Sequence, residues 1–152
     1  MSRALLLMAC SATKASAPAP ALDLYQGVMY QTFRARVKPL ARPKVVILSA
    51  LHGFVQADAI LSPYEQRMTK ARAGEMLADL PRFMKDVIWP DAVSQVFLAG
   101  GKDYRDVMRA AIMVVYPNAR IEECSGGIGY QRSQLGNYLN SLQKFVGLQG
   151  IS

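Results

Sequence analysis

The side chains in this 152-residue sequence that could do chemistry are one histidine, His52, two cysteines, Cys10 and Cys124, and serines, lysines and tyrosines placed just after short apolar runs. Cys10 and Ser11 are followed by Lys14, and Ser49 by His52-Gly53. Gly100-Gly101 precedes Lys102, and Cys124 opens the run Ser125-Gly126-Gly127-Ile128-Gly129. Histidine is the side chain whose ordinary titration range spans neutral pH, so His52 is the candidate general acid or base. A thiol can attack as a thiolate or serve as a small buried hydrophobe, and Cys10 has Lys14 as a candidate cationic neighbour. The glycine segments would leave backbone N–H groups free at helix starts, where the positive end of the dipole suits a phosphate or carboxylate, although a tight strand-to-helix turn needs the same residues.

Several chemistries are not indicated. Neither glycine segment has the Gly-Lys-Ser/Thr ending of a P-loop or the GxGxxG dinucleotide fingerprint. Two separated cysteines and one histidine lack the paired spacing of zinc ligands, and Asp58, Glu65 and Asp103 form no ligand pattern, so neither metal nor cofactor is expected. No GxSxG elbow is present. The rings of Tyr25, Tyr64, Tyr104 and Tyr130 could stack on a base. Tyr25 and Tyr104 also fall on apolar helix positions, where a core role is the simpler reading.

Four strand-and-helix units must position these residues. The run 3–9 is the first strand, and SATKASAPAPA after it, rich in small residues and proline, reads as a loop. From Leu22, the spacing of Tyr25, Val28, Met29, Thr32, Phe33 and Val37 predicts one helical face ending before Pro39. The run 45–49 is the second strand. The connection ALHGFVQADAILSPYEQRM exceeds ordinary loop lengths and is expected to be partly structured or functional. Thr69 is placed to cap a helix with Ala73, Met76, Leu77, Leu80, Met84 and Val87 on its apolar side, kinked at Pro81. The run 95–99 is the third strand. The next helix carries Tyr104, Val107, Met108, Ala111, Ile112 and Val115 at i, i+3, i+4, i+7, i+8 and i+11. The run 120–123 is a short fourth strand, before a last helix with Leu135, Tyr138, Leu139, Leu142 and Val146.

Right-handed crossovers then predict a single α/β domain over residues 1–152, a three-layer sandwich with a four-stranded, mainly parallel sheet in the order 2-1-3-4. In such sheets ligands bind outside the carboxyl ends of the strands, near the switch point. Cys10, Ser11, Lys14, Ser49, His52, Gly100, Gly101, Ser125, Gly126, Gly127 and Gly129 would all lie along that rim. The methionine-rich helix around Met76 and Met84 could face the sheet or a second copy of the chain, so a homo-oligomer is an open expectation.

The stretch LMACS admits a second reading, the cleavage site of a lipid-anchored protein, but only Ala4 to Ala9 separate Arg3 from Cys10, short of the about 7–15 apolar residues of a signal. The strand reading is preferred, and no run approaches the length needed to span a membrane. With two cysteines, a reducing cytoplasmic compartment and free thiols are expected. The net charge of +7, with basic residues gathered in Arg34, Arg36, Lys38, Arg42 and Lys44 and again in Arg67, Lys70 and Arg72, favours acidic partners such as nucleotides or nucleic acids, unless it is a solvated helix face.

Taken together, Cys10-Ser11-x-x-Lys14, Ala17-Pro18-Ala19-Pro20-Ala21-x-Asp23-Leu24-Tyr25, Ser49-Ala50-x-His52-Gly53-Phe54, Ser62-Pro63-Tyr64-Glu65, Gly100-x-x-x-Tyr104 and Gly126-Gly127-Ile128-Gly129 resemble a small family of uncharacterised phage and bacterial proteins. More distantly, that family is similar to the catalytic domain of archaeosine synthase, which adds an amine to a 7-cyano-7-deazaguanine base, and to uracil-DNA glycosylase-like α/β domains. The resemblance implies handling of a nucleobase, nucleoside or nucleotide, free or within nucleic acid, by base modification or glycosidic-bond chemistry. In that reading His52 is the acid or base, Lys14 a clamp, Ser11 and Ser49 hydrogen-bond donors, and Cys10 an orienting group or nucleophile. A non-catalytic nucleotide- or nucleic-acid-binding protein is the alternative.

Overall fold

A computed structural model describes residues 3–142; Val146, expected on the last helix, lies outside the described residues. The elements in chain order begin with β1 (Ala4–Ala9), β2 (Ala19–Pro20), α1 (Ala21–Leu24) and α2 (Val28–Arg36). Next come β3 (Lys44–Ser49), β4 (Gly53–Gln56), β5 (Ile60–Leu61), α3 (Lys70–Ala78) and α4 (Leu80–Met84). The chain continues through β6 (Gln95–Ala99), α5 (Lys102–Val115), β7 (Arg120–Glu123) and α6 (Ile128–Ser141).

The main sheet has five strands in the order β4-β3-β1-β6-β7. β1, β3, β6 and β7 are parallel, while β4 runs antiparallel to β3. The expected four-stranded sheet in the order 2-1-3-4 is therefore corrected by a fifth strand at one edge. The chain turns back directly after β3, and Phe54 and Val55 bury themselves on opposite faces of the sheet.

β1 is central and buried on both sides, which is why its sequence is an unbroken apolar run. Leu6 and Met8 pack with Tyr30 and Phe33 of α2 and Leu135, Tyr138 and Leu139 of α6. Leu5 and Leu7 face the other way, onto Ala73 and Met76 of α3 and Val107, Met108 and Ile112 of α5. Met76 and Met84 thus bury against the sheet. Connections from β1 and from β6 lead to opposite sides of the sheet, so the topological switch lies between these two strands.

Helix boundaries differ from the periodicity in two places. The helix expected from Leu22 is split: α1 stops at Tyr25, which is extended, and α2 restarts after Gly27. Its buried residues are Tyr30 and Phe33, while Val28 is exposed. In α3, the Thr69 hydroxyl accepts the Arg72 N–H at 3.0 Å as a cap. The helix breaks at Asp79, where Leu80-Pro81 opens α4, and Leu77 is exposed rather than apolar-facing. In α5, Val107, Met108, Ala111 and Ile112 are buried as the spacing predicts.

Candidate functional site

The loop after β1 is tied down at several points. Lys14 and Tyr25 form an antiparallel bridge, β2 pairs with β5, and the Ala21 N–H donates to the Ala59 carbonyl at 2.8 Å. The stretch read from sequence as a plain loop therefore holds the segment that ends at Tyr64 against the end of β1. That pairing brings residues 14, 25 and 64 together at the carboxyl end of the sheet.

Three hydroxyls form a chain there. The Ser49 Oγ lies 2.6 Å from the Tyr64 hydroxyl, which lies 2.5 Å from that of Tyr25. Ser49 Oγ also accepts the N–H groups of Leu51 and His52, at 3.1 and 3.0 Å. A serine oxygen has two lone pairs. Both are engaged, so the Ser49 proton is donated to Tyr64 and the Tyr64 proton to Tyr25. Burial pushes Tyr25 up to about 12 and raises Tyr64 further, with the nearby Cys10 adding in the same direction. These phenols are proton donors at neutral pH, not bases.

Lys14 extends over this chain. Its Nζ sits 4.5 Å from the centre of the Tyr64 ring and 5.8 Å from that of Tyr25, and Lys14 forms no ion pair among the described residues. Such a contact holds an ammonium by the ring quadrupole without neutralising it. The exposed His52 ring meets the same tyrosine edge-on, 5.2 Å between ring centres. Tyr64 is thus the hub between a cation and an imidazole.

The second cluster surrounds Cys10. Its Sγ lies 3.2 Å from the Tyr104 hydroxyl and 3.4 Å from the Ala50 backbone N–H, which donates to it. Burial, with Cys10 adding, also raises the Tyr104 phenol. Close approach of the two elements depends on Gly100: its φ is +156°, and a Cβ there would sit 2.7 Å from the Ala9 Cβ. Tyr104 can reach Cys10 only because β6 and α5 come this near to β1.

Arg72, read from sequence only as part of a basic cluster, anchors the turn that carries these donors. Its guanidinium donates to the carbonyls of Ala50 and Leu51 at 2.8 and 2.9 Å. The turn's carbonyls point to α3 and its N–H groups to Cys10 and Ser49. Only the Thr69 cap signal placed Arg72 in the first helical turn; nothing in the sequence marked its reach. Tyr30, likewise missed, donates to the Ala9 carbonyl at 2.8 Å and fixes the end of β1.

Other expected site residues have different surroundings. Ser11 Oγ donates to the Thr13 carbonyl at 2.7 Å and accepts the Gly27 N–H at 3.2 Å, so it joins the end of β1 to the start of α2. Ser125, Gly126, Gly127 and Gly129 are exposed at the start of α6, where no recorded hydrogen bond links them to Cys10, Lys14 or His52. Gly101 is exposed beside the buried Gly100. Tyr130 is exposed near Gly126. Cys124 is buried, its thiol pushed up to about 11 by burial, and it is not paired with Cys10. Among the described residues, no three of His, Cys, Asp and Glu gather as a metal site, and no helix is long and apolar enough to cross a membrane.

No curated protein matches the chain. A solved structure, the crystal structure of AF0587, a protein of unknown function, matches with a TM-score of 0.53 and 16% identity over 96% of this chain. This chain spans 47% of that one, and the likeness extends to the fold alone. Residues 5–137 match the family of unknown function DUF6884, and the chain belongs to that family.

Proposed function

We propose that this protein is an enzyme acting on a nucleobase, nucleoside or nucleotide, by base modification or at the glycosidic bond. The observation that carries the reading is the convergence of Lys14, Tyr25, Ser49, His52 and Tyr64 with Cys10 and Tyr104 at the carboxyl end of the sheet. This is where open α/β sheets take their ligands. The Tyr64 ring, an exposed imidazole and an unneutralised ammonium suit a flat, polar, partly anionic ligand. The resemblance to archaeosine synthase and uracil-DNA glycosylase-like domains supports the same substrate class.

In this reading His52 moves the proton. For glycosidic hydrolysis it takes a proton from the attacking water, whose oxygen bonds to the sugar carbon as the bond to the base breaks, and the departing base leaves with that electron pair and takes up the proton that His52 carries. Lys14 attracts the anionic part of the ligand. The Ser49–Tyr64–Tyr25 hydroxyl chain holds the Tyr64 ring in place for the ligand, and Cys10, beside the Tyr104 hydroxyl and the Ala50 N–H, orients the ligand.

A second reading, a non-catalytic nucleotide- or nucleic-acid-binding protein, draws on the engagement of Ser11 and Ser49 with backbone groups, which leaves them little freedom to act on a ligand. Turnover separates the two. Protein incubated with nucleosides, nucleotides and oligonucleotides is analysed for freed or altered bases by chromatography with mass detection. Product that disappears in folded His52→Ala and Lys14→Ala supports the enzyme. Saturable binding without product supports the binder.

A further inference from the structure

The flank formed by α2 and α6 carries a feature separate from the rim. An open groove of about 430 Å³ lies between these helices, lined in part by Gln31, Thr32 and Arg36 of α2 and by Arg132 and Ser133 of α6. Gly136, one turn beyond Arg132, is buried, and a Cβ there would sit 3.1 Å from Nη1 and 3.3 Å from Cζ of Arg36. The bare backbone at this position lets the Arg36 guanidinium lie against α6, one turn from Arg132.

Neither arginine takes part in an ion pair among the described residues. Both arginines line the same groove, where an anion would be attracted by each of them. The planar fork of arginine matches phosphate oxygens, and Thr32 adds a hydroxyl; the Gln31 amide and the Ser133 hydroxyl already donate to the Gln26 and Gly129 carbonyls. Lys38, farther along, is already committed: its ammonium donates to the Asn140 and Leu142 carbonyls at 2.7 and 3.4 Å.

We propose that this groove carries the phosphodiester backbone of a polynucleotide, so that the ligand of the rim is a base within a polymer. The proposal rests on the nucleobase reading above and narrows it. Both helices begin at the rim: the N–H of Gly27, the cap of α2, bonds to Ser11 at the end of β1, and α6 begins after Gly127. The groove is open and its arginines are exposed, so a lone phosphate gains little there against water, whereas a polymer releases condensed counterions as successive phosphates bind. The net charge of +7 complements such a chain.

The test is fluorescence anisotropy with full-length protein and a labelled single strand of about 20 nucleotides, as DNA and as RNA, from about 50 to 200 mM salt. The double variant R36Q/R132Q is compared with K44Q/R120Q, which removes the same two charges at the amino ends of β3 and β7. The groove variant is expected to bind about tenfold more weakly at low salt and to lower the salt slope by about 1.4, while the control stays within about twofold of wild type. Equal losses in the two variants, or no binding by wild type, overturn the proposal. So does inorganic phosphate alone that displaces the labelled strand as well as unlabelled oligonucleotide does at equal phosphate concentration. Free nucleobases, screened by thermal shift on the same variants, keep the two readings apart: a surviving nucleobase shift with a failed groove leaves the rim standing, and the reverse leaves the groove as a nucleic-acid contact.

Discussion

The Cys10 thiol and the Tyr104 hydroxyl lie 3.2 Å apart although 94 positions separate them in the chain. They come from the end of β1 and the first turn of α5, the two sides of the topological switch. The Ser49–Tyr64–Tyr25 hydroxyl chain lies at the same carboxyl end of the sheet.

The two thiols differ in access, and alkylation reads this directly. Cys124 is fully buried with its thiol pushed up to about 11, whereas Cys10 is half-buried on the rim. Iodoacetamide at neutral pH is expected to place one label, on Cys10, and a second only after unfolding. Peptide mass mapping checks this, and rapid labelling of Cys124 in folded protein contradicts it.

Ser49 holds two backbone N–H groups as well as Tyr64, so Ser49→Ala strips three partners at once. The expected loss is about 1–3 kcal/mol, against about 1 kcal/mol for Tyr64→Phe, which leaves the N–H bonds intact. Urea midpoints rank the two. A Tyr64→Phe variant less stable than Ser49→Ala contradicts the three-partner role of Ser49.

The buried phenols make the protein sensitive to alkali. Tyr25 is raised from 10.0 to about 12, and Tyr64, Tyr104 and Tyr30 further, each chiefly by burial. A raised folded value stabilises fully below 10.0, the unfolded value, and that contribution is lost as pH climbs through the folded one. Tyrosinate absorbance from these four phenols is expected to appear together with loss of far-ultraviolet circular dichroism. Full ionisation near pH 10 with the fold intact contradicts this.

At the far edge, Glu123 accepts from Arg105 and Arg109 at distances of 2.6 to 3.1 Å, and the Arg109 hydrogen bond is the main cause that holds its carboxyl below the ordinary 4.5. A lowered folded value gives stability above 4.5 that fades as pH falls through the folded one. Glu123→Gln is expected to cost about 1 kcal/mol at neutral pH, discounted for exposure of Arg109. As pH falls through the lowered folded value of Glu123 the two proteins should converge. A constant difference across the acid range contradicts the pairing.

Much of the scaffold was legible because continuous burial leaves a continuous apolar run. β1, β3 and β6 and the apolar face of α5 follow from that pattern, whereas β7, Arg-Ile-Glu-Glu and partly exposed, is placed by the alternation of strands with helices. β4 was hidden because its residues form a short stretch inside a long connection. The stop at Tyr25 was hidden because its spacing also fits a helix, although Gly27 just before Val28 is a cap residue that marks the restart. Rim placement of Cys10, Ser49 and His52 followed from topology alone. What topology does not encode is which side chains converge: the 25–64 hydroxyl contact depends on β2 pairing with β5, two residues each, and the Ala50 N–H at Cys10 is set by a backbone turn held by Arg72.

The most direct test is a thermal-shift screen of full-length protein against nucleobases, nucleosides, nucleotides, 7-deazaguanines and short oligonucleotides, repeated with His52→Ala and Lys14→Ala. A ligand that binds only the folded state raises the melting temperature by mass action. The account predicts that at least one nucleobase-containing ligand stabilises wild type and loses its effect in both variants. A panel that leaves the melting temperature unchanged, or a shift that both variants retain in full, contradicts it.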